Sequence, residues 1–254
     1  MQTFQKGILL QGPVSKWTKD IIKEYRKNFP DIHIHLSTWT GENTEGISCD
    51  VSCIEPPPLP SPHKSTVNFQ IVGTQEGLKR IHGDVILKCR PDQFIHNKDI
   101  FNIFDKLCPK NKIMVPNLGT YDSIDYRTSD FCQLATRSVL SDYWDSMPLF
   151  DGSFAVEAAR HLTKNYVVNI RKDNSAWKLA LKKYFYVKDF HSDFQIEWEK
   201  INKEEPLWIK NKDDITEKEY ITFYNSLTND IFNEYLGVKH FSIEGNINVK
   251  GILF

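Results

Sequence analysis

The chain has 254 residues, of which 40% are hydrophobic and 13% are aromatic, which is enough apolar material for one large α/β domain with a small appendage. Its 32 basic and 33 acidic side chains almost cancel, and this argues against a general nucleic-acid binder, because such proteins carry a basic excess. Five cysteines without a CxxC pair indicate neither a disulfide framework nor a zinc site, and they favour a reducing cytoplasm.

Strand and helix patterns alternate through the first ninety residues. The apolar run at 7–11 predicts a buried strand, and the spacing of Ile21, Tyr25 and Phe29 predicts a helix. The predicted elements are, in order, a strand at 7–11, a helix at about 17–29, strands at 32–39 and 49–55, a helix at 68–81 and a strand at 85–89. This β-α-β-β-α-β order predicts an α/β fold with a mixed, mostly parallel sheet and helices on both faces.

The second half of the chain has less regular patterns. Strands are predicted at 112–117 and 130–137, and helices at 138–144 and 153–165. The last residues, EGNINVKGILF, are either part of a terminal strand pair or a loose tail.

Three strand ends carry residues that suit a ligand. Parallel sheets bind ligands at the carboxyl ends of their strands, and these ends are Gln11-Gly12-Pro13, Ser37-Thr38-Trp39 and Arg90-Pro91-Asp92. Gly12 would let a ligand approach the backbone, although an ordinary tight turn explains the motif more simply. Ser37 and Thr38 would offer hydroxyls and Trp39 a stacking ring to a nucleobase, or else they are a cap and a core residue.

Asp92 lies where a carboxylate can hold Mg²⁺ or Mn²⁺ between the two phosphates of a nucleotide. Sites of this kind often use two acids two residues apart, because alternate residues of an extended chain face the same way. Arg90 takes the first of these places. Either Asp92 holds the metal ion while Arg90 contacts phosphate, or the two side chains pair with each other and brace the loop.

Glu157 is the candidate general base. It lies early in the predicted helix at 153–165, where it would remove the proton of an acceptor hydroxyl. The alternative is a stabilising glutamate in the first turn, which the helix dipole favours. Asp130 and Asp151 are rival acids, and His191 is a further candidate for a metal or phosphate contact, although a lone histidine is more often structural.

Residues 171–188 combine six basic side chains and one acid with several aromatic ones. Such a segment could dock on an anionic membrane or hold a lipid-linked phosphate. The alternative, which the charge count favours, is a solvated helix face whose aromatic side chains pack inward. Because no window approaches the roughly 20 apolar residues of a membrane span, we expect a cytoplasmic protein that is at most peripheral to the inner face of the plasma membrane.

Several of these motifs together resemble known enzymes. The segment NFQIVGTQEGLKRIHGDVILKCRPDQ, residues 68–93, resembles the donor site of GT-A glycosyltransferases. The motifs ILLQGPV, STW, N.Q....GL and LK.R.D resemble, in the same order, the WavE-like family of bacterial lipopolysaccharide-synthesis proteins. The similarity runs from Gly7 to about Gln93 and continues more weakly to about Tyr166.

The resemblance implies a GT-A-like fold, a nucleotide-diphosphate sugar as donor, and a glycan or lipid-linked glycan as acceptor. The residues that it places at the donor are Gln11, Gly12, Pro13, Ser37, Thr38, Trp39, Asn68, Gln70, Arg90 and Asp92. Asp92 would be the catalytic metal ligand, and Glu157 falls near the position where many such enzymes carry their base. Because Arg90 replaces an acid, a strict need for Mn²⁺ or Mg²⁺ stays open.

The expected organisation follows from the extent of this resemblance. We expect a GT-A-like domain at 1–200, with a nucleotide-sugar-binding half at 1–117 and an acceptor half at 118–200. Residues 201–254 would be a C-terminal extension packed on the same domain. The expected activity is sugar transfer to a surface polysaccharide, either lipopolysaccharide or capsule, or to a lipid-linked glycan.

Two other functions stay open. The first is a non-catalytic glycan-binding or scaffold protein on a degenerate transferase fold, which the arginine at position 90 keeps in view. The second is a sugar nucleotidyltransferase. It is disfavoured because GPVSKWT lacks the repeated glycines of a triphosphate-binding loop.

Overall fold

The computed structural model describes residues 4–200 and two later strands, at 238–243 and 247–252. The elements of its first part are β1 Lys6–Gln11, α1 Thr18–Asn28, β2 His33–Trp39, β3 Asp50–Ile54, α2 Val67–Arg80 and β4 Val85–Cys89. The predicted β-α-β-β-α-β order is therefore confirmed, and each boundary differs from the prediction by at most one residue.

The next part contains elements that the sequence patterns did not predict, among them β5 Gln93–Ile95 and α3 Ile100–Leu107. The later elements are β6 Ile113–Pro116, β7 Gln133–Thr136, α4 Arg137–Trp144, α5 Ala158–Lys164, α6 Trp177–Tyr184, β8 Phe185–Lys188 and β9 Ile196–Trp198. Two π-helical segments, Asn165–Ile170 and Phe190–Phe194, follow α5 and β8. The predicted start of a helix at 153 is wrong, because regular helix begins only at Ala158.

Seven strands form the central sheet, in the order β3-β2-β1-β4-β7-β6-β8. β1 pairs in parallel with both β2 and β4, β2 with β3, and β6 with β8. β7 runs antiparallel to its neighbours β4 and β6. The predicted fold class, an α/β fold with a mixed and mostly parallel sheet, is confirmed.

Helices cover both faces of this sheet, and each face has its own hydrophobic cluster. Because successive side chains of a strand point to opposite faces, β4 contributes to both clusters. Val85, Leu87 and Cys89 lie in the cluster that contains the buried residues of α1 and α3. Ile86 lies in the cluster of α2, α4 and α6, and the alternation places Lys88 on that second face.

Two smaller pairs of strands lie outside the central sheet. β5 and β9 are antiparallel, with Gln93 opposite Trp198 and Ile95 opposite Ile196. Near the end of the chain, β10 Val238–Ile243 pairs with β11 Ile247–Ile252, also antiparallel, which agrees with the strand-pair alternative for the last segment. Most of the expected extension at 201–254 lies outside the described residues, so its packing on the domain stays a prediction.

Across the described ranges of the chain, we find no helix whose length and apolar character would let it cross a membrane.

Candidate functional site

A cavity of about 410 Å³ opens at the carboxyl ends of β1 and β4. This volume falls within the roughly 300–1,000 Å³ range of small-molecule sites. The polar residues of its wall are Gln11, Thr66, Gln70, Lys88, Arg90, Arg127, Thr128, Ser129, Asp130, Glu157 and Lys200. Four predicted site residues, Gln11, Gln70, Arg90 and Glu157, are therefore brought together in one wall.

Gln11 and Gln70 are placed by helix α2. Gln11 Nε2 donates to the Phe69 carbonyl at 3.3 Å, and Gln70 Nε2 donates to Asp130 Oδ2 at 3.0 Å. Gly73 leaves room for the Gln11 side chain, since a Cβ there would lie 2.6 Å from Gln11 Nε2 and would force that side chain to shift. Both side chains line the cavity, and their contact with the donor stays a prediction.

Gly12 forms the turn that ends β1. Its φ of 135° lies in the region that favours glycine, and its N–H donates to the Ser37 carbonyl at 3.1 Å. A Cβ at this position would lie 3.3 Å from Pro91, so the turns after β1 and β4 approach each other closely. The neighbouring Pro13 is exposed.

The remaining predicted donor residues are buried behind the wall and do not line the cavity. Ser37 Oγ donates to the Gly73 carbonyl at 2.7 Å, and the Trp39 ring lies 5.2 Å from the Phe69 ring. The Asn68 side chain exchanges two hydrogen bonds with the backbone of Phe150, at 2.9 and 2.7 Å, and Thr38 is fully buried. Their contact with a nucleotide stays a prediction.

Arg90 and Asp92 form a two-pronged ion pair. Arg90 Nε donates to Asp92 Oδ1 at 2.8 Å and Nη2 donates to Oδ2 at 2.9 Å. Trp198 Nε1 also donates to Oδ2, at 3.1 Å. Arg90 lines the cavity, whereas Asp92 does not. The structure thus shows the pairing that the sequence offered as one of two alternatives.

Lys88 lines the cavity and was not among the predicted site residues. It is only 1% exposed, and its Nζ donates to the Asp130 carbonyl at 2.7 Å and lies 5.0 Å from the centre of the Trp144 ring. Burial lowers the pKa of its ammonium group to about 8. A lysine inside the otherwise apolar VILKC strand was the available signal.

Glu157 immediately precedes α5 and lines the cavity. Its Oε1 lies 3.0 Å from Nε of the buried Arg127, whose guanidinium group stacks on Tyr121 at 4.8 Å. Burial raises the pKa of the Glu157 carboxyl, and Arg127 opposes this rise. A half-buried carboxylate of this kind suits proton transfer. Among the rival acids, Asp130 lines the same cavity and Asp151 does not.

A divalent cation has little to bind at Asp92. Both oxygens of Asp92 already accept hydrogen bonds from Arg90 and Trp198. Within residues 4–200 and the two later strands, no group of three or more His, Cys, Asp or Glu side chains is placed to hold a metal ion. His191 lies against Phe190, at 5.1 Å between rings, and does not line the cavity.

The basic segment at 171–188 is largely paired with acids. Its ion pairs are Arg171–Asp142, Lys178–Asp122, Lys183–Asp173 and Lys188–Asp193, at 3.0, 3.2, 2.7 and 3.2 Å. Trp177, Leu181 and Tyr184 of α6 point into the core. These contacts favour the solvated helix face, and membrane docking stays a prediction.

The C-terminal part of the chain resembles a chaperone family that the sequence analysis did not identify. Residues 170–254 match the family described as Hsp90 protein. Heat shock protein 83 of Leishmania donovani is 40% identical over 58 residues, which are 23% of this chain and 13% of that protein. Chaperone protein HtpG of Escherichia coli O1:K1 / APEC is 44% identical over 59 residues, or 23% and 9%. The chain thus spans a small part of the length of these relatives.

Among solved structures, the chain resembles 4-diphosphocytidyl-2C-methyl-D-erythritol synthase from Anaerococcus prevotii DSM 20548, with a TM-score of 0.44, 11% identity, and coverage of 74% of this chain and 87% of that one. It also resembles a glycosyltransferase involved in the glycosylation of the major capsid of PBCV-1, with a TM-score of 0.40, 12% identity, and coverage of 74% and 84%. Neither likeness indicates an activity at these scores.

The longest of the family matches covers residues 7–199, and the matched family is described as WavE lipopolysaccharide synthesis. This range contains the central sheet apart from Lys6, both turns at the cavity and every predicted site residue. It therefore confirms the family that the strand-end motifs resemble. The chain belongs to the WavE lipopolysaccharide synthesis family.

Proposed function

We propose that this protein transfers a sugar from a nucleotide-diphosphate sugar to a hydroxyl of a surface polysaccharide, either lipopolysaccharide or capsule, or of a lipid-linked glycan. The observation that carries the proposal is a single cavity at the strand ends whose wall contains both cationic side chains and the half-buried carboxylate of Glu157. Cations suit the diphosphate of a donor, and a carboxylate suits the hydroxyl of an acceptor. Membership of a lipopolysaccharide-synthesis family supports the same activity.

Two roles follow from the wall of the cavity. Arg90, held in place by Asp92, would stabilise the negative charge that develops on the departing diphosphate. Glu157 would accept the proton of the acceptor hydroxyl if the reaction inverts the configuration at the sugar. Its raised pKa suits this role, because a general base works best when its pKa lies near the working pH.

Glu157→Gln tests the proposed base. Glutamine keeps the size of the side chain and cannot accept a proton, so we expect turnover to fall by roughly 10²-fold or more, while the affinity for the donor changes little. The measurement is release of nucleoside diphosphate from a panel of nucleotide-sugars in the presence of a lipid-linked or polysaccharide acceptor.

Glu76→Gln is the matched control, because Glu76 pairs with Lys79 on α2 and does not line the cavity. Full turnover in Glu157→Gln would contradict the role of this residue. Glycan binding without consumption of any nucleotide-sugar by the wild-type protein would favour the scaffold alternative, for which the internal Arg90–Asp92 pair is the supporting observation.

A further inference from the structure

Asp92 behaves as a partner of Arg90. The Asp92 side chain is 13% exposed, and each of its oxygens accepts a hydrogen bond from the Arg90 fork. Fork-to-fork pairs of arginine and carboxylate are strong and fix the orientation of both groups. Because Trp198 Nε1 donates to the same carboxylate at 3.1 Å, a metal ion at Asp92 would have to displace an established network.

The same network leaves part of the Arg90 side chain available to a ligand. Nε and Nη2 are used by Asp92, and Nη1 has no hydrogen-bond partner among the residues that the structure describes. The guanidinium group also lies 5.5 Å from the centre of the Trp198 ring, and it is 35% exposed at the cavity. Arg90 is thus oriented on one side and open on the other.

Lys88 adds a second cation to the same wall. Within the described part of the chain, no carboxylate forms an ion pair with its Nζ, whose protein partners are the Asp130 carbonyl and the Trp144 ring. The carboxylate of Asp130, which lines the same cavity, raises the pKa of Lys88, but burial lowers it by more. A buried ammonium group that is only partly compensated is unfavourable. An anion that enters the cavity beside Lys88 and Arg90 would add compensating negative charge.

We propose that Lys88 and Arg90 together bind the diphosphate of the donor without a divalent cation, and that Asp92 positions Arg90. This inference rests on the proposed function and specifies how its donor is held. In the transfer step the bond between the sugar C1 and the phosphate oxygen breaks, and its electron pair stays on the diphosphate beside the two cations. The acceptor oxygen forms the new bond to C1, and its proton goes to Glu157 if the reaction inverts.

Metal-free binding of pyrophosphate and of the diphosphates of adenosine, cytidine, guanosine, uridine and thymidine tests the proposal. Isothermal titration of the full chain is done in EDTA and again with Mn²⁺. For every probe that binds, we expect the affinity in EDTA to be at least as high as the affinity with Mn²⁺. Lys88→Met should weaken it roughly tenfold to a hundredfold, since hydrogen bonds between charged groups are lost, whereas Lys106→Met, at an exposed position of α3, should leave it unchanged.

Arg90→Lys and the Asp92 variants separate positioning from metal binding. Arg90→Lys keeps the charge and loses the fork, so we expect roughly tenfold weaker binding. Affinity in EDTA should fall in the order Asp92, Asp92→Asn, Asp92→Ala, because asparagine still accepts one hydrogen bond from Arg90 and alanine accepts none. Added Mn²⁺ should not change that order.

The possible results are distinguishable. Binding that requires Mn²⁺ and is lost in Asp92→Asn would overturn this inference and leave the proposed function standing. Unchanged affinity in both Lys88→Met and Arg90→Lys would also overturn it. Absence of binding for every probe, with and without Mn²⁺, would refute the proposed function and this inference with it.

Discussion

Lys88 is a residue whose placement favours a ligand at the expense of stability. It lies at the end of a central strand, it is almost completely buried, and its charge is not matched by an ion pair within the described residues. Removing a charged ammonium group from water destabilises the folded state unless a partner compensates it. Functional sites commonly carry such locally unfavourable groups. The position of Lys88 in the cavity wall is consistent with a role in ligand binding.

The pH dependence of stability tests the burial of Lys88. Its pKa is about 8 in the folded protein, below the ordinary value of 10.5, so the unfolded chain binds more protons between these two values. The free energy of unfolding should therefore increase, by up to roughly 3 kcal/mol, as pH rises from about 8 towards 10.5.

Urea denaturation of the wild type and of Lys88→Met over this pH range isolates the contribution. The groups that act on Lys88 are Asp130, Arg90, Cys132 and Cys89. Both proteins share these groups, and burial keeps the pKa of Cys89 up at about 12. At pH 7 the methionine variant should be at least as stable as the wild type. If the difference in free energy of unfolding between the two proteins stays the same across this pH range, Lys88 is not buried as a cation.

At the level of residues, the sequence indicated which positions lie near the site more clearly than which contacts their side chains make. Arg90 and Asp92 could be recognised because they follow a buried strand, yet pairing and metal binding were equally compatible with their spacing. The partner that favours pairing, Trp198, is 106 positions away from Asp92, so no local pattern could indicate it. The lysine inside the apolar VILKC strand was a local signal for Lys88, but its contacts with Asp130 and Trp144 come from distant parts of the chain.

At the level of elements, the prediction succeeded where periodicity alone defines a structure. The first six elements have 5 to 14 residues each, and all six were predicted. β5 and β9 have three residues each and pair with each other across about a hundred positions. Three residues are too few to show the alternating pattern of a strand. Residues 153–157 were predicted as the start of a helix, although Glu157 has extended backbone angles and regular helix starts after it.

The β5–β9 pair should depend on a buried contact between His96 and Glu197. His96 Nε2 lies 2.8 Å from Glu197 Oε2, and their side chains are 7% and 0% exposed. Glu197→Ala should lower the free energy of unfolding by roughly 1–3 kcal/mol, because it removes the carboxylate that hydrogen-bonds to the buried His96 ring. Urea denaturation measures the change.

Glu76→Ala is the control for this variant, because an exposed pair such as Glu76–Lys79 contributes about 1 kcal/mol or less. Equal stability of Glu197→Ala and Glu76→Ala would show that the His96–Glu197 contact does not hold the two strands together. Since β9 also carries Trp198, we expect Glu197→Ala to weaken nucleotide binding as well.

At the level of the whole molecule, two similarities meet along one chain. Residues 7–199 belong to the WavE family, whereas residues 170–254 match Hsp90 proteins. Among the described residues, all strands of the central sheet and the whole cavity wall lie at or before Lys200, and β9 forms its pair with β5. The expected boundary at residue 200 stays a prediction, and the order of motifs carried no sign of the chaperone-like segment at the end of the chain.

Two truncations test this boundary. A chain that ends at Lys200 keeps β9 and should unfold cooperatively and bind pyrophosphate like the full chain. A chain that ends at Gln195 loses β9, the hydrogen bond of Trp198 to Asp92 and the partner of His96, so it should be less stable and bind more weakly. Urea denaturation and titration give both quantities. Loss of folding in the longer truncation would place the boundary further along the chain.

We infer a site for a nucleotide-diphosphate sugar at the ends of β1 and β4. A thermal-shift panel of nucleoside diphosphates and nucleotide-sugars, on the wild-type chain and on Lys88→Met, tests it most directly. A ligand present at about 100 times its dissociation constant adds roughly 2.7 kcal/mol of stability. We predict a clear rise in melting temperature with at least one nucleotide or its sugar in the wild type. In Lys88→Met, roughly tenfold to hundredfold weaker binding reduces the added stability to about 1.4 kcal/mol or less, so the rise should be at most about half as large. No shift with any ligand in the wild type would contradict the claim.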